Sequence, residues 1–183
     1  MQAPDAAAVA ALHATNWRAN YREVLSAAYL AGDVVRERAV AWTARLTGAT
    51  DREFGIVAEA DDRLIGFAYV SRNVDPEFGH LLDNLHVEAG SQGRGLGRLL
   101  LGRIAETMVT KGWSPRALYL WVYSVNHGAR RFYERLGASE QGRELLASSD
   151  GGQVLACRYV WPDASTLLRE GPVPTWSGPA FRK

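Results

Sequence analysis

The sequence predicts one α/β domain (α+β mixed), in which a central mixed, mostly antiparallel sheet is flanked by helices. Three observations carry this. The apolar pattern keeps a helical period as far as Leu46 and takes a strand period from Phe54. A strand-like run, LLDNLHV, passes through the glycine turn QGRGLG into a helix-like run, RLLLGRIAETMV. The last third then reads strand, short helix and two strands. At 183 residues, 47% of them hydrophobic, the chain has the length for one domain with a sizeable core.

The first helix follows Pro4-Asp5, with Ala8, Val9 and Leu12 at amphipathic spacing and Asp5 near its start. The next stretch, NWRANYREVLSAAYL, carries Trp17, Tyr21 and Tyr29. Asp33 then caps a second helix with Val34, Val35, Ala39, Trp42 and Leu46 on or near one face. FGIVAEADDRLIGFAYVSR reads as a hairpin turning at ADDR, and HLLDNLHV, after the DPEFG turn, as a third strand. After QGRGLG, a stripe of Leu96, Leu99, Leu100, Ile104 and Met108 makes a helix to about Lys111, stopped by Gly112. ALYLWVY has the continuous apolar character of a strand buried on both faces. NHGARRFYERLG is a short helix from Asn126 to a stop at Gly137. The closing strands run over about Ser139 to Leu146 and Val154 to Trp161, joined by SSDGG. Residues 1–161 form the domain. Residues 162–183, rich in Pro and Gly around Trp176, read as a C-terminal extension without its own core.

Composition narrows the function classes. With 21 basic and 20 acidic residues the net charge is +1, so no global field draws the chain to nucleic acid or a membrane, and an anion site must be local. One cysteine, Cys157, excludes an internal disulfide framework and fits a reducing compartment. His13, His80, His86 and His127 lack zinc-ligand spacing, so no metal is expected. The opening MQAPDAAAVAALH is neither basic nor apolar enough for a signal peptide, and the expected location is cytoplasmic.

QGRGLG is the most informative stretch. A strand that feeds a helix through glycines leaves the first N–H groups of the helix open to a phosphate, and the helix dipole, Arg94 and Arg98 add to the attraction. It is not GxxxxGK[ST]. It also departs from the dinucleotide fingerprint, because its glycines fall as GxGxG and the next strand ends in WVY rather than an acidic residue. A turn that simply reverses the chain is the plain alternative.

A second constellation adds to it. After the next strand comes N-x-x-A-x-x-F-Y-x-x-x-G, here Asn126, Ala129, Phe132, Tyr133 and Gly137. Together the two resemble the GNAT superfamily of acyl-CoA-dependent N-acetyltransferases, whose signature Q/R-x-x-G-x-G/A is met by Gln92, Gly95 and Gly97. The resemblance covers roughly residues 5 to 161. Trp17, Tyr21 and Tyr29-Leu30 are similar to a bacterial subgroup of that family. One departure stands out: the family opens with a strand before its first helix and MQAPDAAAV has no room for one, so the first edge strand is expected to be missing.

The resemblance implies that acetyl-CoA is the acyl donor and no metal takes part. Its pyrophosphate would lie on Gln92, Gly93, Arg94, Gly95, Leu96, Gly97 and Arg98. Its pantetheine arm would lie in a splay between LLDNLHV and ALYLWVY, against main-chain groups of Leu85, His86 and Val87. Tyr133 takes the position that protonates the departing thiolate, with core packing as the plain alternative. Asn126 and Ala129 match positions at coenzyme A, and a helix cap explains Asn126 equally. Arg130 and Arg131 are either phosphate contacts or a solvated face. The base is open. Leu81 stands where many relatives carry glutamate, and Asp83, on the same face by strand alternation, is the candidate base or a partner for a cationic substrate. His80 and His86 are alternatives, the latter on the face opposite Asp83. Trp17, Tyr21, Trp121 and Tyr123, with Asp75, Glu77 and Asp83, offer walls and carboxylates for a small primary amine. The expectation is an acetyltransferase for a small amine, monomeric or homodimeric. The rivals are a protein N-terminal or lysine acetyltransferase and a non-catalytic acyl-CoA-binding module.

Overall fold

The computed structural model describes residues 1–114, 116–168 and 179–183. Helices α1 (Ala6–Asn20), α2 (Ala27–Ala31) and α3 (Val34–Thr47) precede strands β1 (Glu53–Ala60), β2 (Arg63–Asp75) and β3 (Gly79–Val87). Helix α4 (Leu96–Thr110), β4 (Leu118–Tyr123), α5 (His127–Arg135), β5 (Ser139–Ala147), β6 (Gln153–Trp161) and β7 (Ala180–Arg182) complete the chain.

Local chemistry sets these boundaries. Asp33 accepts the Arg36 N–H at 3.1 Å and starts α3; Asn126 accepts the Ala129 N–H at 3.0 Å and starts α5. The β1–β2 hairpin turns on Asp61 and Asp62, at φ 50° and 56°. Both values suit the primed turn that matches strand twist, and aspartate tolerates them better than most residues.

Among the described residues the sheet has seven strands in the order β5-β6-β4-β3-β2-β1-β7. All neighbours are antiparallel except β3 and β4. One face carries α1 and α3 over Val57, Phe67 and Tyr69. The other packs Ile56, Ala68, Val70 and Leu82 against Leu96, Leu100 and Ile104 of α4, with Tyr133, Tyr159 and Trp161 in the same cluster. Strand alternation produces both layers from one run of residues.

No strand precedes α1 among the described residues. The edge beside β1 is instead taken by the chain's last residues: β7 pairs Ala180, Phe181 and Arg182 with Glu59, Ala58 and Val57. Arg182 bonds Asp5 at 2.9 and 3.1 Å and also pairs with Glu59. A 3-10 segment, Ala164–Leu168, buries Ala164 and Leu167 in the cluster under α4, so this part of the extension joins the domain core. Trp176 lies outside the described residues.

Candidate active site

Among the described residues the parallel pair β3–β4 meets only at His80–Leu118 and Leu81–Tyr119. Beyond that point each strand keeps its other neighbour, β3 with β2 and β4 with β6, and a wedge opens between them. The Glu88 N–H donates to Ile65 O at 2.8 Å, so antiparallel alternation directs the main-chain groups of Leu85 and Val87 off the opposite edge, into the wedge. His86 does not share that role: the same alternation turns its main-chain groups into the ladder with Phe67. The Val87 carbonyl accepts side-chain amides from Asn16 and Gln92, each at 3.1 Å, which leaves its N–H for a strand-like ligand. Gln92 thereby ties the glycine turn to the wedge.

Gly93 and Gly95 have φ of 72° and 87°, a region costly for other residues, and Gly95 is the N-cap of α4. The first intrahelical bond runs from the Leu99 N–H to Gly95 O at 3.1 Å, so the N–H groups of Leu96 and Gly97 precede it at the positive end of the dipole. Arg94 lies in the turn and Arg98 in the first helical turn. Gly97 serves another purpose: a Cβ there would stand 3.1 Å from Phe132 Cζ, so the third glycine lets α5 pack on α4.

Helix α5 carries three of the predicted residues from the end of β4, where the Asn126 N–H donates to Tyr123 O at 2.8 Å, back over β6. Asn126 caps the helix and its amide reaches the Tyr21 hydroxyl at 3.5 Å, while Ala129 supplies the capped N–H. Tyr21 and Tyr123 pack as tilted rings with centroids 4.8 Å apart. Tyr133 is buried between Phe132, Tyr159 and Trp161. Burial first, and the nearby Tyr21 phenol second, push its pKa well above the usual phenol value, so it is held protonated. Arg130 bonds Ser124 O at 3.1 Å and Glu140 at 3.1 Å, anchoring α5 to β5.

On the helical side of β3 lies a cleft of about 220 Å³, lined by His13, Trp17, Arg38, Arg45, Asp83 and Asn84 among others. Asp83 is the extra residue of a β-bulge: Tyr69 pairs with Asn84 and Val70 with Leu82. The bulge breaks alternation and puts Asp83 and His86 on the same face, not on opposite ones. Asp83 meets Arg45 of α3 in an ion pair, and His86 lies 4.4 Å from His13 of α1, ring to ring. Asp83 Oδ2 receives both Arg45 and Asn84, the latter at 3.0 Å. Asn16 donates to His86 Nδ1 at 3.3 Å, and burial lowers the His86 pKa to about 4. His80 is fully buried beside Trp113, with Nδ1 accepting the Asn73 N–H at 3.0 Å. Asp75 accepts the N–H groups of Glu77 and Phe78 at 2.8 and 3.0 Å, holding its own turn.

Among the described residues no cluster of His, Cys, Asp or Glu could hold a metal, and no helix is long and apolar enough to cross a membrane. The model of the GNAT acetyltransferase family matches residues 14–138, from the first helix through the glycine turn to the stop after α5. The chain belongs to the GNAT acetyltransferase family. A curated relative, the ribosomal protein bS18 alanine N-acetyltransferase of Salmonella typhimurium, is 34% identical over 90 residues, covering 49% of this chain and 57% of its own length. The PaiA N-acetyltransferase of Thermoplasma acidophilum, solved with coenzyme A, superposes with a TM-score of 0.63 at 16% identity over 85% of this chain and 94% of its own. Nourseothricin acetyltransferase superposes with a TM-score of 0.52 at 27% identity, covering 63% and 68% respectively.

For a GNAT acetyltransferase the wedge, glycine turn and α5 cap are thus one connected assembly, with Trp17 and Asp83 at the adjoining cleft. Trp121 is set apart from that cleft, stacked at 4.5 Å under Arg158, which also pairs with Glu144 at 2.6 Å. Sequence reasoning missed His13, Asn16, Arg38 and Arg45. The first two had a signal: Val9, Leu12, His13 and Asn16 continue one helical stripe, all buried, so two polar side chains occupy core positions. The arginines had none, since a charged residue on a surface helix is ordinary.

Proposed function

We propose that the protein is an N-acetyltransferase that moves an acetyl group from acetyl-CoA to a primary amine by direct attack in a ternary complex. The observation that carries this is the wedge, where the open edge at Leu85 and Val87 runs toward the N-terminus of α4. The site fits the donor: an extended arm finds strand-like partners, and a pyrophosphate finds N–H groups behind two positive-φ glycines. Bound there, acetyl-CoA supplies an activated acyl group as a thioester.

The chain's own residues then have limited tasks. Leu85 and Val87 hold and polarise the acyl end, with Asn16 fixing the Val87 carbonyl. The acceptor sits in the cleft beside Asp83, whose Oδ1 takes a proton from the ammonium through water, since both protein contacts fall on Oδ2. The amine nitrogen bonds to the acyl carbon, the carbon–sulfur bond breaks and Tyr133 gives its proton to the departing sulfur, while the second proton shed by the nitrogen leaves through water to solvent and Tyr133 is reprotonated from solvent. Burial keeps Tyr133 protonated and so available as a donor, while the same raised pKa makes it a weaker acid, so its proton moves only as charge develops on the sulfur.

Thiol release from acetyl-CoA across a panel of small amines and an alanine-initiated peptide tests the reading. Wild-type protein should release thiol with at least one acceptor, and Tyr133→Phe should lower turnover by about 10²-fold or more with donor affinity unchanged. Unaltered turnover in Tyr133→Phe would remove the acid role. The peptide arm is included because the relative at 34% identity acts on a ribosomal protein. A non-catalytic acyl-CoA-binding module is the second reading, favoured by Leu81 and by the Arg45–Asp83 pair. Donor binding without thiol release over the whole panel would select it.

A further inference from the structure

The cleft beside β3 has an uneven supply of hydrogen-bonding groups. His13 is 4% exposed, and its ring orientation is settled by Trp42, whose indole N–H donates to Nδ1 at 3.1 Å. An indole nitrogen only donates, so Nδ1 is an acceptor and the proton of the neutral ring sits on Nε2. Burial, with His86, Arg38 and Arg45 nearby, keeps the ring neutral by lowering its pKa to about 2. His13 Nε2–H is buried with no hydrogen-bond partner among the described residues, and leaving such a donor unpaired costs about 1–3 kcal/mol. Arg38, whose guanidinium lies 4.8 Å over the Trp17 ring, has a buried Nε–H in the same condition. Its other end pairs with Glu37.

Across the cleft the balance reverses. Asp83 Oδ2 accepts from both Arg45 and the Asn84 amide, so Asp83 Oδ1 and the Asn84 side-chain oxygen are the acceptors on the β3 side. The side of the cleft lined by His13 and Arg38 thus has two unpaired donors buried beneath its surface and carries a cation, while the side lined by Asp83 suits an ammonium. Trp17 and Trp42 supply apolar surface between them. A volume of about 220 Å³ is below the ordinary range for drug-sized ligands, roughly 300–1,000 Å³, and suits a molecule of amino-acid size.

We infer that the acceptor is a free amino acid or similar small amino carboxylate, with its carboxylate on His13 Nε2–H and Arg38 and its amine beside Asp83. This deepens the acetyl-transfer reading and rests on it for the direction in which the amine points. A primary amide or a peptide-linked residue presents a neutral carbonyl in place of the carboxylate and forfeits the charge-assisted contacts.

The test compares each common amino acid with its carboxamide in thiol release from acetyl-CoA, using wild-type protein and Arg38→Gln. At least one acid should exceed its amide by about tenfold or more in kcat/KM, with the difference in KM, and Arg38→Gln should reduce that gap to about twofold. Amides that match or exceed their acids throughout would overturn the inference while leaving acetyl transfer intact. If no acceptor releases thiol, calorimetric titration of the same pairs into protein saturated with coenzyme A decides instead. Binding of an acid but not its amide, lost in Arg38→Gln, would uphold the anion site although transfer fails. Equal binding of the two, or none, would overturn it. His13→Gln should act like Arg38→Gln, with circular dichroism checking that the buried substitution leaves the fold in place.

Discussion

At the residue scale, the informative positions are polar groups held where their ordinary behaviour changes. His13 and His86 are buried side by side between α1 and β3 and stay neutral, the first to about pH 2 and the second to about pH 4. In the unfolded chain both titrate near pH 6.5. Between roughly pH 6.5 and 4 the unfolded state therefore binds more protons, so stability falls as pH falls, by up to about 1.4 kcal/mol per pH unit for each histidine. Urea midpoints at pH 7.5 and pH 5.0 check this: wild type should lose stability on acidification, and His86→Gln should lose about one proton's worth less. Equal pH slopes in the two proteins would contradict the burial argument. Asp83 shows the converse, where a carboxylate that sequence alternation put opposite His86 joins it on one face because of a single extra residue in β3. Nothing in LLDNLHV announces that bulge, since it arises from pairing with β2.

Elements explain why the two motif halves travel together. QGRGLG and the segment from Asn126 to Gly137 are separated in sequence by most of α4 and all of β4, yet Gly97 and Phe132 are in contact and Tyr21 joins Asn126 to α1. The sequence pattern was enough to locate the glycine turn, the cap at Asn126 and the strands β1 to β6 along the chain, because each depends on local chemistry or on period. It was not enough for the wedge's working edge: Leu85 and Val87 face it and His86 does not, which follows only from the register with β2. Gly97→Leu should drive Phe132 away and carry Asn126 and Tyr133 out of place. Donor affinity by calorimetry and turnover should then both fall by about tenfold or more, since off-geometry catalytic groups lose rate steeply. Retention of both would separate α5 packing from the site.

Across the whole molecule, the sheet is closed at one edge by residues far from it in sequence. The three-residue strand AFR has too little pattern to be read as a strand, and its place beside β1 depends on Arg182 meeting Asp5 and Glu59. Asp5 is 8% exposed, so removing its partner leaves a buried carboxylate short of a charged contact. Arg182→Ala should lower stability by about 1–3 kcal/mol in urea unfolding and speed amide exchange along β1. Acetyl transfer should persist, because β1, β2 and β3 stand between β7 and the wedge. Unchanged exchange in β1 would mean that β7 adds nothing to the edge. The central claim concerns the opposite side of β3, and amide chemical shifts recorded while coenzyme A is titrated in test it most directly. The wedge account predicts the largest shifts at Leu85, Val87, Gly93, Gly95 and Gly97, with His86 and the β1 edge little changed. Saturable binding that leaves those five amides unmoved would contradict it.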